Sequence, residues 1–150
     1  MNKITELMDS LDLSKLVPEL DELMAKAGSI AGWAVMIGPL VLLIMGLIYC
    51  FKAPKEANHS FGFRTYFAMG SVEAWQNTQR LAGIVFGGLG IILTIVMGIL
   101  CLTWRGKDVM LILNRASRCL IWEVVLAALA YAALVVYTII MYDKNGNRRK

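Results

Sequence analysis

Apolar residues run almost unbroken through three stretches of this chain. Ile30 to Phe51 and Leu81 to Thr103 hold 22 and 23 residues without a charge, and Leu120 to Tyr142 holds 23 with one carboxylate, Glu123. A helix rises about 1.5 Å per residue, so about 20 residues cover the ~30 Å hydrocarbon core of a bilayer. Each stretch is long enough, and a soluble helical core would interrupt runs of this length with charges. The pattern predicts an all-α integral membrane protein, a three-helix bundle with spans near 30–51, 81–103 and 120–142.

The segments between the spans have patterns of their own. In residues 1–29 apolar positions recur every three or four residues, first Ile4, Leu7, Met8 and Leu11, then Leu13, Leu16, Val17, Leu20, Leu23, Met24 and Ala27. This is an amphipathic helical pattern. It predicts one or two short helices, with Ser14 as an N-cap, Pro18 in the first turn after it, and Gly28 ending them before the first span. The apolar stripe can lie on a membrane surface. Its polar face is acidic, however, so packing against the bundle or a partner helix is an equal alternative. The start "MNKITELMDS" has no basic n-region leading into an apolar core, so the first span is expected to be an uncleaved anchor.

Within the spans, Gly38-Pro39 predicts a kink, read either as packing or as a hinge. Gly83, Gly87, Gly90, Thr94 and Gly98 form a stripe of small residues along the second span, with a G-x-x-x-G pair at Gly83 and Gly87. Such stripes let helix backbones approach closely, within a bundle or in a homo-oligomer.

Residues 52–80 form a patterned connection that should be an ordered interfacial loop. Ser71 is a good N-cap with Glu73 behind it, so a helix from Ser71 can run unbroken into the second span. On that helix Gln76 and Arg80 share a face, as do Trp75 and Gln79. Upstream lie Pro54, Asn58, His59, Phe61, Gly62, Phe63, Arg64 and Tyr66; aromatic and basic residues beside a span suit the membrane interface. The second connection, 104–118, is basic, and Val109 to Leu113 reads as a short interfacial helix or the first turn of the third span. The tail 143–150 is polar, basic and expected to be mobile.

Charge and chemistry narrow the function. The net charge is +4, yet residues 1–30 carry three lysines against six acidic residues, a net of −3. The basic excess flanks the spans, where anionic headgroups attract it, and nucleic-acid binding is not needed to explain it. Cys50, Cys101 and Cys119 sit at span ends in no metal-binding pattern and read as small apolar filler. His59 and Glu56 are too few to hold a metal. No nucleophile–base arrangement or phosphate loop is present, so neither an enzyme nor a cofactor is expected.

Glu123 lies about one turn inside the third span, where a carboxylate is costly unless paired or near water. Arg115, Arg118, Arg80 and Arg105 are its candidate partners; the alternative is a proton or cation site. Arg64 is either a bidentate clamp for a carboxylate or phosphate or a staple for its own loop, and Gly62 serves both readings. Trp75 reads as an interface anchor. Basic residues barely distinguish the two membrane orientations; the basic tail and acidic N-terminal segment favour N-out, C-in.

Residues 54–83 resemble the signature segment of the SdpI family, small bacterial membrane proteins named for immunity to a sporulation-delaying toxin. The elements are Pro54-Lys55, Asn58, Phe61-Gly62-Phe63-Arg64-Thr65, Met69, Trp75 and Gln79-Arg80, standing in order between two spans. The resemblance covers roughly residues 38–103. It implies a multi-pass protein of the bacterial cytoplasmic (inner) membrane with a binding or protection role. Asn58, Phe61, Gly62, Arg64, Thr65, Trp75, Gln79 and Arg80 would then engage membrane lipid, a membrane-active toxin peptide or a partner helix. Two other functions stay open: a small oligomeric transporter or channel subunit using Glu123, and an adaptor docking a partner through residues 1–28.

Overall fold

A computed structural model of the chain describes residues 13–58 and 61–149, with side chains from residue 18. The stripe Ile4, Leu7, Met8 and Leu11 and the lone His59 lie outside the described residues. Among the described residues there are four long helices: α1 Leu13–Ala34, α2 Ile37–Phe51, α3 Val72–Trp104 and α4 Val109–Met141. Together α1 and α2 form the first of three helical segments long and apolar enough to cross a membrane, Pro18–Phe51; α3 and α4 are the others. At 33 residues each, α3 and α4 are about 50 Å long. They outreach the hydrocarbon core, α3 at its Ser71 end and α4 at its Asp108 end.

The caps explain where these helices start. Ser71 is extended (φ −149°, ψ 160°), and its hydroxyl oxygen accepts the Ala74 N–H at 3.1 Å. The Asp108 carboxylate accepts the N–H groups of Met110 and Leu111 at 3.1 and 3.3 Å. Residues 109–113 are therefore the first turns of α4 and not a separate interfacial helix.

The N-terminal segment departs from its sequence reading. Gly28 does not end the helix; α1 continues to Ala34, with Ser14 and Pro18 both inside it. Gly28 is buried because a helix passes close by: a Cβ there would meet Val109 at 3.2 Å, and one on Gly32 would meet Ile112 at 3.7 Å. These glycines seat α1 on the start of α4. The upper part of α1 leaves Leu20, Leu23 and Met24 exposed. The break falls instead at Val35-Met36, just before Gly38-Pro39.

The most extensive helix contact is between α2 and α3. A methyl group on Gly46 would overlap the Gly87 backbone, one on Gly83 would lie 2.8 Å from the Cys50 nitrogen, and one on Gly90 would overlap Leu43. Gly83, Gly87 and Gly90 of the stripe on α3 are thus occupied within the chain, by α2. Gly88 and Gly98 face nothing within 4 Å. Two apolar clusters result. One holds Val35, Leu93, Met97, Cys101, Trp104, Ile112 and Ala116; the other, at the loop end, holds Tyr49, Phe63, Ala82, Phe86 and Leu134.

The tail is folded as far as Arg149. The Asp143 carboxylate accepts the N–H groups of Asn145 and Asn147 at 2.9 and 2.8 Å, and Arg149 N–H returns to the Met141 carbonyl at 2.9 Å. This turn docks on the start of α3, where the Ser71 hydroxyl donates to the Gly146 carbonyl at 2.8 Å. Local polarity predicted mobility; the partner that orders the tail lies 75 residues away in sequence.

Candidate functional site

The loop from Lys52 to Ser71 is held by side chains from the first turns of α3. Trp75 is fully buried and donates its indole N–H to the Pro54 carbonyl at 2.7 Å. Gln76 donates to the Lys55 carbonyl at 3.0 Å. Gln79, 2% exposed, pairs both ends of its amide with one residue: its oxygen accepts the Phe63 N–H and its nitrogen donates to the Phe63 carbonyl, each at 2.8 Å. A buried loop backbone would otherwise hold unpaired polar groups, each costing about 1–3 kcal/mol, so Gln79 permits Phe63 to descend into the bundle. There its ring packs on Tyr131 and Phe86, with centroids 5.2 and 6.2 Å away.

Gly62 makes this descent possible in two ways. Its φ is +127°, a region L side chains rarely enter, and a Cβ there would sit 2.6 Å from the Trp75 ring. On either side, Asn58 Oδ1 accepts the Phe61 N–H at 2.8 Å, and Phe61 stacks on Tyr49 at 5.9 Å. The Thr65 hydroxyl accepts the Ala68 N–H at 3.2 Å and donates to the Thr138 hydroxyl at 3.1 Å, tying the loop to α4. Asn58, Phe61, Gly62, Thr65, Trp75 and Gln79 therefore share one folded unit, which fixes backbone.

What remains to meet a ligand is the outward face. Arg64 is exposed, and its charge reaches Tyr49. Beside the loop, between the end of α2 and the start of α3, lies an open groove of about 850 Å³. Tyr49, Phe51 and Ile84 give it apolar walls, Lys55 and Arg80 give it two cations, Gln76 and Gln79 add amides, and among the described residues no acidic one lines it. Phe51 is 81% exposed at its edge. A cationic groove with apolar walls at a span boundary suits a carboxylate or phosphate carried on an apolar body. Lys55 stands in the signature segment but is not among the binding residues expected from the sequence, and Tyr49 reads only as part of a span.

Glu123 lies apart from this groove. It is 15 residues, about 22 Å along α4, from Thr138, and it packs against Gly38. No described cation pairs with it. The expected ion pair fails on helical geometry. At 100° per residue, Arg118 is turned about 140° away and Arg115 stands about 12 Å up the axis. Arg118 donates instead to the Asn114 carbonyl at 3.3 Å. Among the described residues no three of His, Cys, Asp and Glu converge to hold a metal ion.

A family model, that of the SdpI/YfhL protein family, matches residues 55–142, from the cationic side of the groove to the end of α4. No curated protein and no solved structure gives a significant match to the chain.

Proposed function

The chain belongs to the SdpI/YfhL protein family, and from that premise we propose that it protects the bacterial inner membrane, as a toxin-immunity type of protein, by capturing a membrane-active peptide. The observation that supports this reading is the groove with Lys55 and Arg80 on apolar walls, framed by a loop whose buried backbone is held by Trp75 and Gln79. A peptide lying in the interface presents apolar side chains and a terminal or side-chain carboxylate. Tyr49, Phe51 and Ile84 would take the first, and Arg80, Lys55 and Arg64 the second. A lipid phosphate offers the same charge and would compete for the cations. Because the loop is already folded, binding would require little further ordering, which favours affinity.

The test is protection of a sensitive host from a cognate membrane-active toxin. Arg64→Lys keeps the charge but loses the planar fork, and Arg80→Ala removes a cation from the groove. A lost charge-assisted hydrogen bond is worth about 1.5–3 kcal/mol, which weakens binding roughly 10- to 150-fold. Both variants should insert normally and protect poorly. Full protection by Arg64→Ala and by Arg80→Ala would end the recognition reading. Solute flux through liposomes that depends on Glu123, without any protection, would favour a channel subunit.

A further inference from the structure

The break between α1 and α2 is where the bundle places the one buried acid among the described residues. Glu123 is 4% exposed, and its Oε1 has no hydrogen-bond partner. Its Oε2 fills the space beside Gly38, where a Cβ would lie 2.5 Å from it. The next residue, Pro39, is also buried and has no N–H to give the Val35 carbonyl four positions earlier. Val35 itself is fully buried. An acid and an interrupted helix ladder thus meet inside the apolar bundle.

Among the described residues nothing around Glu123 balances a negative charge. α2 contains no charged residue, α1 has none after Lys26, and α3 has none between Arg80 and Arg105. The titratable neighbours are thiols: Cys119 on α4 and Cys101 on α3. On its own helix, Arg118 and Arg115 are turned or displaced as described above. An ionised carboxylate in such a place costs several kcal/mol even after relaxation, whereas a neutral carboxylic acid costs far less and has a proton to donate.

The geometry points to a proton-binding site: Glu123 is carried as a neutral acid against the α1–α2 break, and its deprotonation opens that break. With the proton in place, α4 can rest on Gly38 without burying a charge. Without it, the carboxylate must draw in water or move away from Gly38, and the lesser seat of α1, its contact with α3 beside the main one on α4, loosens with it. That seat has a local reporter: the Cys101 thiol donates to the Gly32 carbonyl of α1 at 3.0 Å. This inference does not depend on the immunity reading.

Infrared spectroscopy of the full chain in lipid nanodiscs tests it. The carbonyl stretch of a protonated carboxyl group should be present at neutral pH and fade at alkaline pH. Glu123→Gln should abolish that band, and Glu123→Asp should shift it. In parallel, alkylation of Cys101 by a membrane-permeant maleimide is followed by mass spectrometry. At the same alkaline pH, Cys101 should react several-fold faster in the parent than in Glu123→Gln, which cannot ionise. Absence of the band at neutral pH, or its survival unshifted in both variants, overturns the proton site. Equal Cys101 labelling in parent and Glu123→Gln overturns its control of the break. Should Glu123→Gln fail to assemble, the parent's titration and the Glu123→Asp shift still decide the first point.

Discussion

Replacing Gln79 with alanine should unfasten the loop while leaving the spans in place. The side chain makes two hydrogen bonds of 2.8 Å to the backbone of Phe63, a residue itself only 3% exposed. Truncation leaves a buried N–H and a buried carbonyl without partners. At about 1–3 kcal/mol each, the cost is about 2–6 kcal/mol, or a shift of roughly 30- to 20,000-fold in the equilibrium between folded and open loop. Water can relieve the cost only if the loop lifts, so opening of residues 61–68 is the expected response. Hydrogen exchange read by mass spectrometry, in nanodiscs, measures it directly. Amide protection around Phe63 should fall by at least the lower figure, while α3 and α4 retain theirs and the helical circular dichroism holds. Protection of Phe63 that is unchanged in Gln79→Ala, or already absent in the parent, would refute the argument that this amide pair anchors the loop.

Two further outcomes are expected. Gly46→Ala should destabilise the bundle by about 1–3 kcal/mol, because its methyl group overlaps the Gly87 backbone, whereas Gly98→Ala, which meets nothing within 4 Å, should be neutral or mildly stabilising; thermal unfolding in detergent that ranks them otherwise would contradict the packing. In the tail, the Asn147 N–H foremost, and then that of Asn145, holds the Asp143 carboxyl below the usual aspartate range. A lowered folded-state value gives stability that is present above the unfolded value and lost as pH falls through the folded one. Exchange of the Arg149 amide should therefore quicken on acidification below the ordinary aspartate value, and Asp143→Asn should remove that pH dependence.

The three spans were legible because bilayer thickness writes itself into run length, and the Ser71 cap because its chemistry is local. What was not legible is pairing between distant segments. Gly46 stands alone in a leucine- and isoleucine-rich run and matches no small-residue pattern, yet it is the residue that receives Gly83 and Gly87. Gly28 reads as a terminator because glycine ends helices in sequence statistics; only the approach of Val109 shows that it serves contact. Residues of the F-G-F-R-T cluster read as ligands because they are unusual at a span boundary. In the fold, Gly62, Phe63 and Thr65 face inward, and Arg64 alternates outward between them. The groove itself joins Tyr49 near the end of α2 and Lys55 of the loop to Arg80 on α3, a juxtaposition no spacing encodes.

The bond from Ser71 to Gly146 sets an order on assembly. A chain emerges from the ribosome N-terminus first, so the loop and α3 are synthesised well before the residues that clasp them. Thr138, the partner of Thr65, is equally late. Both contacts lie on the loop's side of the membrane, which the chain reaches again only after α4 has crossed. Until then the groove can exist only in a half-tethered form. A nascent chain stalled before residue 138 would have two of its membrane crossings and an unfinished platform, and the closing turn at Asp143–Arg149 would mark completed insertion.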